Sequence, residues 1–274
     1  MNTALGKTTN ALEEIYNLAF AGKSYHEAVQ QLENAHLSIA HELLGEEEFD
    51  EDGDSQYQPL KQWLKELRAA LATVNVGGEY DTQYDQIVSY GEMLASQLVY
   101  NYVVSQNELP NSLAYWSWLD ARRTIRTDTV WREAKVDWPA TQERLQMMDE
   151  SLSFRQKITF TQGFIGGPEP VYFDDENTER TGMRQVYQPI TTLGREGSDY
   201  SAAIFAYCLN AESVTIWKDV PGLLNADPKI FLDTVRYPEI SYQETIEMAY
   251  YGASVIHPKT LKPLADRKIP LRVK

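Results

Sequence analysis

Residues 191–203 read Thr191-Thr192-Leu193-Gly194-Arg195-Glu196-Gly197-Ser198-Asp199-Tyr200-Ser201-Ala202-Ala203. Two glycines bracket an arginine, a Ser-Asp pair follows, and an apolar run with helical character extends from Ala202 to Leu209. A glycine-rich turn at a helix start lets backbone N–H groups approach an anion closely. Arg195 adds a planar fork that matches a carboxylate or phosphate. Ser198 or Asp199 can cap the helix. Read alone, the stretch is also compatible with an ordinary loop and cap, so its weight depends on what surrounds it.

Working outward, the second half of the chain alternates. Lys157 to Ile165 reads as a strand ending at Gly166-Gly167-Pro168, and Ser213 to Trp217 is a β-branched strand. Ser241-Tyr-Gln-Glu244 has capping-box spacing, Gly252 closes the helix that it opens, and Ile269 to Val273 is a last short strand. This alternation predicts an α/β fold in which a mainly parallel sheet is flanked by helices. Pro168 to Pro189 is polar and charged, which predicts a surface loop or hairpin.

The first half reads as helices. Asn10-Ala-Leu-Glu13 and Ser24-Tyr-His-Glu27 also have capping-box spacing. Leu60, Trp63, Leu64, Leu67 and Leu71 recur on one helical face. A further helix is expected from about 81 to 106, and an aromatic segment, Leu113 to Leu119, precedes Asp120. The acidic run 46–54 reads as a solvated loop. The helix-rich half (about 1–150) and the alternating half (about 151–274) are read as one domain, since no linker separates them.

The chain has 274 residues, of which 43% are hydrophobic, enough for a sizeable core. Its net charge of −15 argues against a nucleic-acid or anionic-membrane surface. Cys208 is the single cysteine, which rules out an internal disulfide framework and suits a reducing cytoplasm; its apolar setting marks it as core. No apolar run approaches the length of a membrane span, and the N-terminus has no signal-peptide pattern.

Taken with its neighbours in order, the 191–203 stretch resembles the aspartate-binding signature of the aspartokinases, within the amino-acid kinase family. Thr3 to Asn10 resembles the family's turn after its second strand, and Ser89-Tyr-Gly-Glu92 its Ser-x-Gly-Glu motif. Asp120-Ala-Arg122 with Thr127-Asp128, and Thr161-Gln-Gly-Phe-Ile-Gly166, match further family runs. Trp217-Lys-Asp-Val-Pro-Gly222 with Asp227-Pro228 resembles the nucleotide-binding segment, and Tyr251 to Pro258 the Gly-Ala-Lys-Val-Leu-His-Pro segment.

The resemblance implies a three-layer amino-acid kinase fold. It implies transfer of the ATP γ-phosphoryl, with Mg²⁺, to the side-chain carboxylate of L-aspartate, on the route to lysine, threonine and methionine. A carboxylate is already a nucleophile at neutral pH, so positioning and charge neutralisation do the work. The implied roles are catalytic for Asp199 and Arg195, with Arg195 on the substrate α-carboxylate. Thr9, Glu92 and Ser198 are implied as further substrate contacts, Glu92 on the ammonium. Lys218, Asp219, Gly222, Asp227, Lys229 and Ser254 fall on the nucleotide side, and His257 is structural. No protein-held metal is implied; a homodimer is an open assembly.

The departures matter as well. Lys218 stands where the family usually has threonine, Leu224 where a tyrosine often packs on adenine, Lys229 for a frequent arginine, and Ser254 for a frequent lysine. The family's Lys-Phe-Gly-Gly-Thr-Ser loop does not occur in these residues, nor do the ACT domains. That implies a sheet incomplete at its N-terminal side and weak phosphoryl transfer by this chain. Two alternatives stay open: another amino-acid kinase, and a non-catalytic fragment that binds a ligand or assembles with a partner.

Overall fold

A computed structural model describes residues 4–49, 53–106, 116–152, 157–173, 185–220, 222–252 and 255–274. Five helices come first: α1 (Thr8–Phe20), α2 (His26–Leu44), α3 (Gln58–Ala72), α4 (Tyr80–Val88) and α5 (Tyr90–Ser105). In α3 the leucines predicted on one face, Leu60, Leu64, Leu67 and Leu71, are all buried, and Pro59 opens the helix where its missing N–H costs nothing. They pack with Leu12, Ile15 and Tyr16 of α1 and with Leu94 and Leu98 of α5 in the largest core cluster. Each such leucine contributes about 1.5–3 kcal/mol by leaving water.

Local signals were misleading at several helix boundaries. The capping boxes expected at Asn10 and Ser24 are not used: α1 begins after Lys7 and α2 after Tyr25, both without a side-chain cap. Packing of Leu12 and Val29 into the core sets those starts instead. The helix expected over 81–106 is two, broken at Ser89, whose hydroxyl donates to the Gln86 carbonyl. By contrast, the Ser241–Glu244 capping box forms in full, and Gly252 follows the helix with φ +107.

The rest of the chain alternates as expected. Strand β1 (Trp116–Leu119) pairs in parallel with β2 (Ile158–Thr161), and α6 (Trp138–Leu152) lies between them in sequence. The strand predicted over Lys157–Ile165 is also two. The chain turns at Gly163-Phe164, where Phe164 has φ +69, and β3 (Ile165–Gly166) then pairs antiparallel with β6 (Thr191–Thr192). Strands β4 (Val171–Phe173) and β5 (Gln185–Tyr187) form the predicted hairpin, whose middle lies outside the described residues.

Helix α7 (Gly197–Leu209) leads to β7 (Val214–Ile216), which pairs in parallel with β8 (Leu271–Val273). Between them lie α8 (Tyr242–Tyr250) and α9 (Pro258–Arg267). Ala203 and Ala206 of α7 pack with Val214, Ile216, Leu261 and Leu264 in a second core. The α/β class and the parallel pairs hold. Among the described residues, however, the strands form four two-stranded ladders rather than one continuous sheet. Cys208 is buried as expected, and burial pushes its thiol up to about 12, which leaves it inert at neutral pH.

Candidate active site

The 191–203 stretch is held open by close packing. Leu193 donates its N–H to the Phe164 carbonyl at 2.8 Å, and the Phe164 N–H donates to Ser201 Oγ at 3.0 Å. Gly197 begins α7 directly against the Phe164 ring: a Cβ there would lie 2.7 Å from a ring carbon. A Cβ on Gly163 would lie 2.7 Å from the Ser198 backbone. Both glycines are therefore needed for close approach, and Gly194 for its φ of +76.

The cap assignment needs correction. Glu196, in the left-handed conformation, is the N-cap of α7, and no side chain caps it. Ser198 and Asp199 sit inside the first turn. Asp199 is turned toward Lys218, whose Nζ lies 2.8 Å from Asp199 Oδ2. Lys218 follows β7, and it also donates to the Val255 carbonyl at 2.6 Å and lies 3.9 Å from Glu196. Sequence placed Lys218 with the nucleotide contacts; the structure brings it onto the signature helix. Glu196 accepts the His257 N–H at 2.9 Å, and His257 Nδ1 accepts from the Lys259 N–H, capping α9. That matches the structural part expected of His257.

The opposite wall comes from the helical half. Gly91 abuts Ala4, Thr8 and Leu12, so α1 and α5 approach closely, and Thr9 and Glu92 from these two helices line the same cleft. Glu92 is only 3% exposed, far from the solvated surface that a lone helical glutamate suggests. It lies in the first turn of α5, where the helix dipole favours a carboxylate.

Thr9, Glu92, Arg195, Ser198, Asp199, Lys218 and Asp219 thus line a single cleft of about 700 Å³. Residues 103 positions apart or more, Thr9 and Glu92 against Arg195 to Asp219, meet there only through the fold. Three other predictions fall elsewhere. Gly222 lines a second cavity with Arg236 and Arg272. Asp227 and Lys229 share an exposed turn in which Asp227 Oδ1 accepts the Lys229 N–H, so that carboxylate is engaged by its own backbone. Ser254 lies outside the described residues.

Several cleft residues went unnoticed in the sequence: Tyr84, Arg132, Phe164, Thr192 and Trp217. Phe164, Thr192 and Trp217 belong to motifs already singled out, without a role assigned to them, but Tyr84 and Arg132 carry no motif. Behind the cleft, Asp85 is fully buried. Its Oδ2 accepts N–H groups from Arg132 and Thr192, both at 2.8 Å, and its Oδ1 accepts the Thr192 hydroxyl at 2.8 Å. Burial pushes this carboxyl above the usual range, and the three hydrogen bonds oppose the push. Among the described residues no group of three or more His, Cys, Asp or Glu side chains could hold a metal ion, and no helix is long and apolar enough to cross a membrane.

A glycine-rich helix start, a guanidinium and opposed acidic groups thus line one cleft on an α/β scaffold. The chain belongs to the amino acid kinase family, whose model matches residues 4–274. It is 36% identical over 191 residues to the lysine-sensitive aspartokinase 3 of Escherichia coli, a match covering 69% of this chain and 37% of that protein. It is 30% identical to a bifunctional aspartokinase/homoserine dehydrogenase 2 of Zea mays, covering 99% of this chain and 27% of that one. Among solved structures, E. coli aspartokinase III with aspartate and ADP superposes with a TM-score of 0.75 at 28% identity. That match covers 99% of this chain and 53% of that one. The same enzyme with lysine and aspartate gives 0.73 at 27% identity, covering 98% and 53%. The chain therefore spans about a quarter to a half of the length of these relatives.

Proposed function

We propose that this chain carries the catalytic site of an aspartate kinase, which moves the γ-phosphoryl of ATP onto the side-chain carboxylate of L-aspartate. The observation that carries this reading is the convergence of Thr9, Glu92, Arg195, Ser198 and Asp199 with Lys218 in one cleft. Relatives that bear the aspartokinase name, and a structural neighbour holding aspartate and ADP, support it.

In this reading Arg195 grips the α-carboxylate through a bidentate contact. Glu92, desolvated in the cleft wall, pairs with the α-ammonium. Thr9 and Ser198 add polar contacts that fix the substrate's orientation. The side-chain carboxylate of aspartate needs no general base, so the remaining task is in-line placement and charge neutralisation. Asp199 and Lys218 form an ion pair in the resting cleft, and an incoming phosphate competes for the lysine. The backbone N–H groups at the start of α7 face the same developing charge.

Asp219, Gly222, Asp227, Lys229 and Ser254 are assigned to the nucleotide from the sequence resemblance; of those among the described residues, Asp219 lines this cleft. Mg²⁺ fits this cleft as an ion carried by the nucleotide, since Asp199 and Asp219 supply hard oxygen donors but no three-ligand cage; bound there, it would neutralise phosphate charge. The reading places the protein in the cytoplasm, without a nucleic-acid or membrane partner.

Calorimetry with L-aspartate and with ADP tests the proposal. Binding of both, with aspartate binding weakened by about 2–3 kcal/mol in Arg195→Ala, is the expected result. Unchanged aspartate affinity in that variant overturns the assignment of Arg195. An aspartyl-hydroxamate assay then measures whether bound substrates react.

A further inference from the structure

Arg132 is the charged cleft residue that no motif accounts for. It holds a left-handed backbone conformation, φ +64, which is strained for any residue with a side chain. Two contacts keep it there. Its N–H donates to the buried Asp85, the same carboxylate oxygen that accepts the Thr192 N–H. Its carbonyl lies against Gly194, where an added Cβ would meet Arg132 O at 3.4 Å and Glu133 Cγ at 3.2 Å. The Ala134 N–H donates to the Thr192 carbonyl at 3.0 Å. The loop carrying Arg132 is thus fastened to the strand and turn that carry Arg195.

The side chain is splinted as well. Its guanidinium carbon lies 4.4 Å from the centre of the Tyr84 ring and 6.0 Å from that of Tyr80. Tyr84 and Arg132 both line the cleft. Among the described residues its side chain hydrogen-bonds only to Asp81, through Nη1 at 3.4 Å, and both groups are about half exposed, 46% and 54%. Such a pair is weak and leaves most of the five N–H donors to other partners. Two guanidiniums on adjoining loops therefore face one cleft in a chain of net charge −15.

We propose that Arg132 is a second guanidinium for the substrate's α-carboxylate, acting beside Arg195, with Asp85 as the buried group that positions it. This rests on the aspartate-kinase reading. The α-carboxylate is chosen over the reacting one because Arg132 adjoins Gly194-Arg195, whereas Lys218 and Asp199 mark the transfer end.

The test is calorimetry on the full chain and on Arg132→Gly, with L-aspartate and with its α-amide, L-isoasparagine. Glycine suits φ +64, so this variant keeps the fold, which thermal unfolding verifies; Arg132→Asn, also tolerant of that conformation, serves as a second variant. We expect aspartate affinity to fall about tenfold in both variants, roughly 1.4 kcal/mol, while affinity for the α-amide hardly changes. No loss for aspartate, or an equal loss for both ligands, overturns the assignment of Arg132. Failure of the unaltered chain to bind aspartate at all overturns the underlying reading, and this assignment with it.

Discussion

The two walls of the cleft are built differently. The helical wall, which carries Thr9, Tyr84 and Glu92, grows out of the largest core in the molecule. Its functional side chains project from helices whose other faces hold Leu12, Ile87 and Leu94 at 0–1% exposure. The opposite wall, Trp217 to Asp219, follows a three-residue strand, and Trp217 is 76% exposed. Lys218 ties that wall to Asp199 of the signature and to the Val255 carbonyl, and Glu196 of the signature accepts the nearby His257 N–H. A wall built from core is preorganised before any ligand arrives. A wall held by a few polar contacts can exchange them for contacts with a phosphate.

This contrast is easiest to break from the core side. Leu12→Ala removes a fully buried side chain at the α1–α5 contact, and a loss of roughly 2–5 kcal/mol of stability is expected. Urea unfolding measures it; a cost below about 1 kcal/mol would mean that the helical wall is not core-determined. Asp85→Ala leaves the Arg132 and Thr192 N–H groups without their buried acceptor, at a cost of about 1–3 kcal/mol. Wild-type stability in that variant would remove the clamp from the account.

On the opposite wall, Lys218→Thr should leave global stability nearly unchanged while ADP affinity falls, by about 1.5–3 kcal/mol for one hydrogen bond to a charged group. Calorimetry with ADP and thermal unfolding of the same sample separate the two effects; a large drop in unfolding temperature with ADP affinity intact reverses the proposed contrast.

The smallest effect sharpens the comparison through pH. His36 is buried in α2, with Nδ1 2.8 Å from the Leu32 carbonyl, and burial holds its imidazole below the ordinary value. The unfolded state then binds a proton first. Stability due to this group is present above an unfolded value of about 6.5 and is lost as pH falls below it. His36→Gln should flatten that part of the stability profile. A slope that survives the substitution would point to another titrating group.

Much of the helical half was readable because its signal is periodic: the α3 leucines lie on one face and are buried together. The Ser241 capping box was readable because its partners are three residues apart. The failures share a cause. At Asn10 and Ser24 the local cap was available, but burial of the neighbouring apolar residues set the helix starts. The strand expected through Gly163-Phe164 breaks because β3 must leave β2 to meet β6, a pairing with residues about 27 positions away.

The amino-acid sequence by itself determined the α/β alternation, the helical half and the glycine-rich turn with its arginine, because these rest on spacing within a few residues. Tertiary structure decided that Glu92 is buried rather than solvated and that Lys218 meets Asp199. It also decided that Arg132, in a loop without a motif, faces the same cleft as Arg195. Those outcomes depend on contacts between segments up to about a hundred residues apart, and such contacts are fixed by core packing and buried hydrogen bonds that no local pattern encodes.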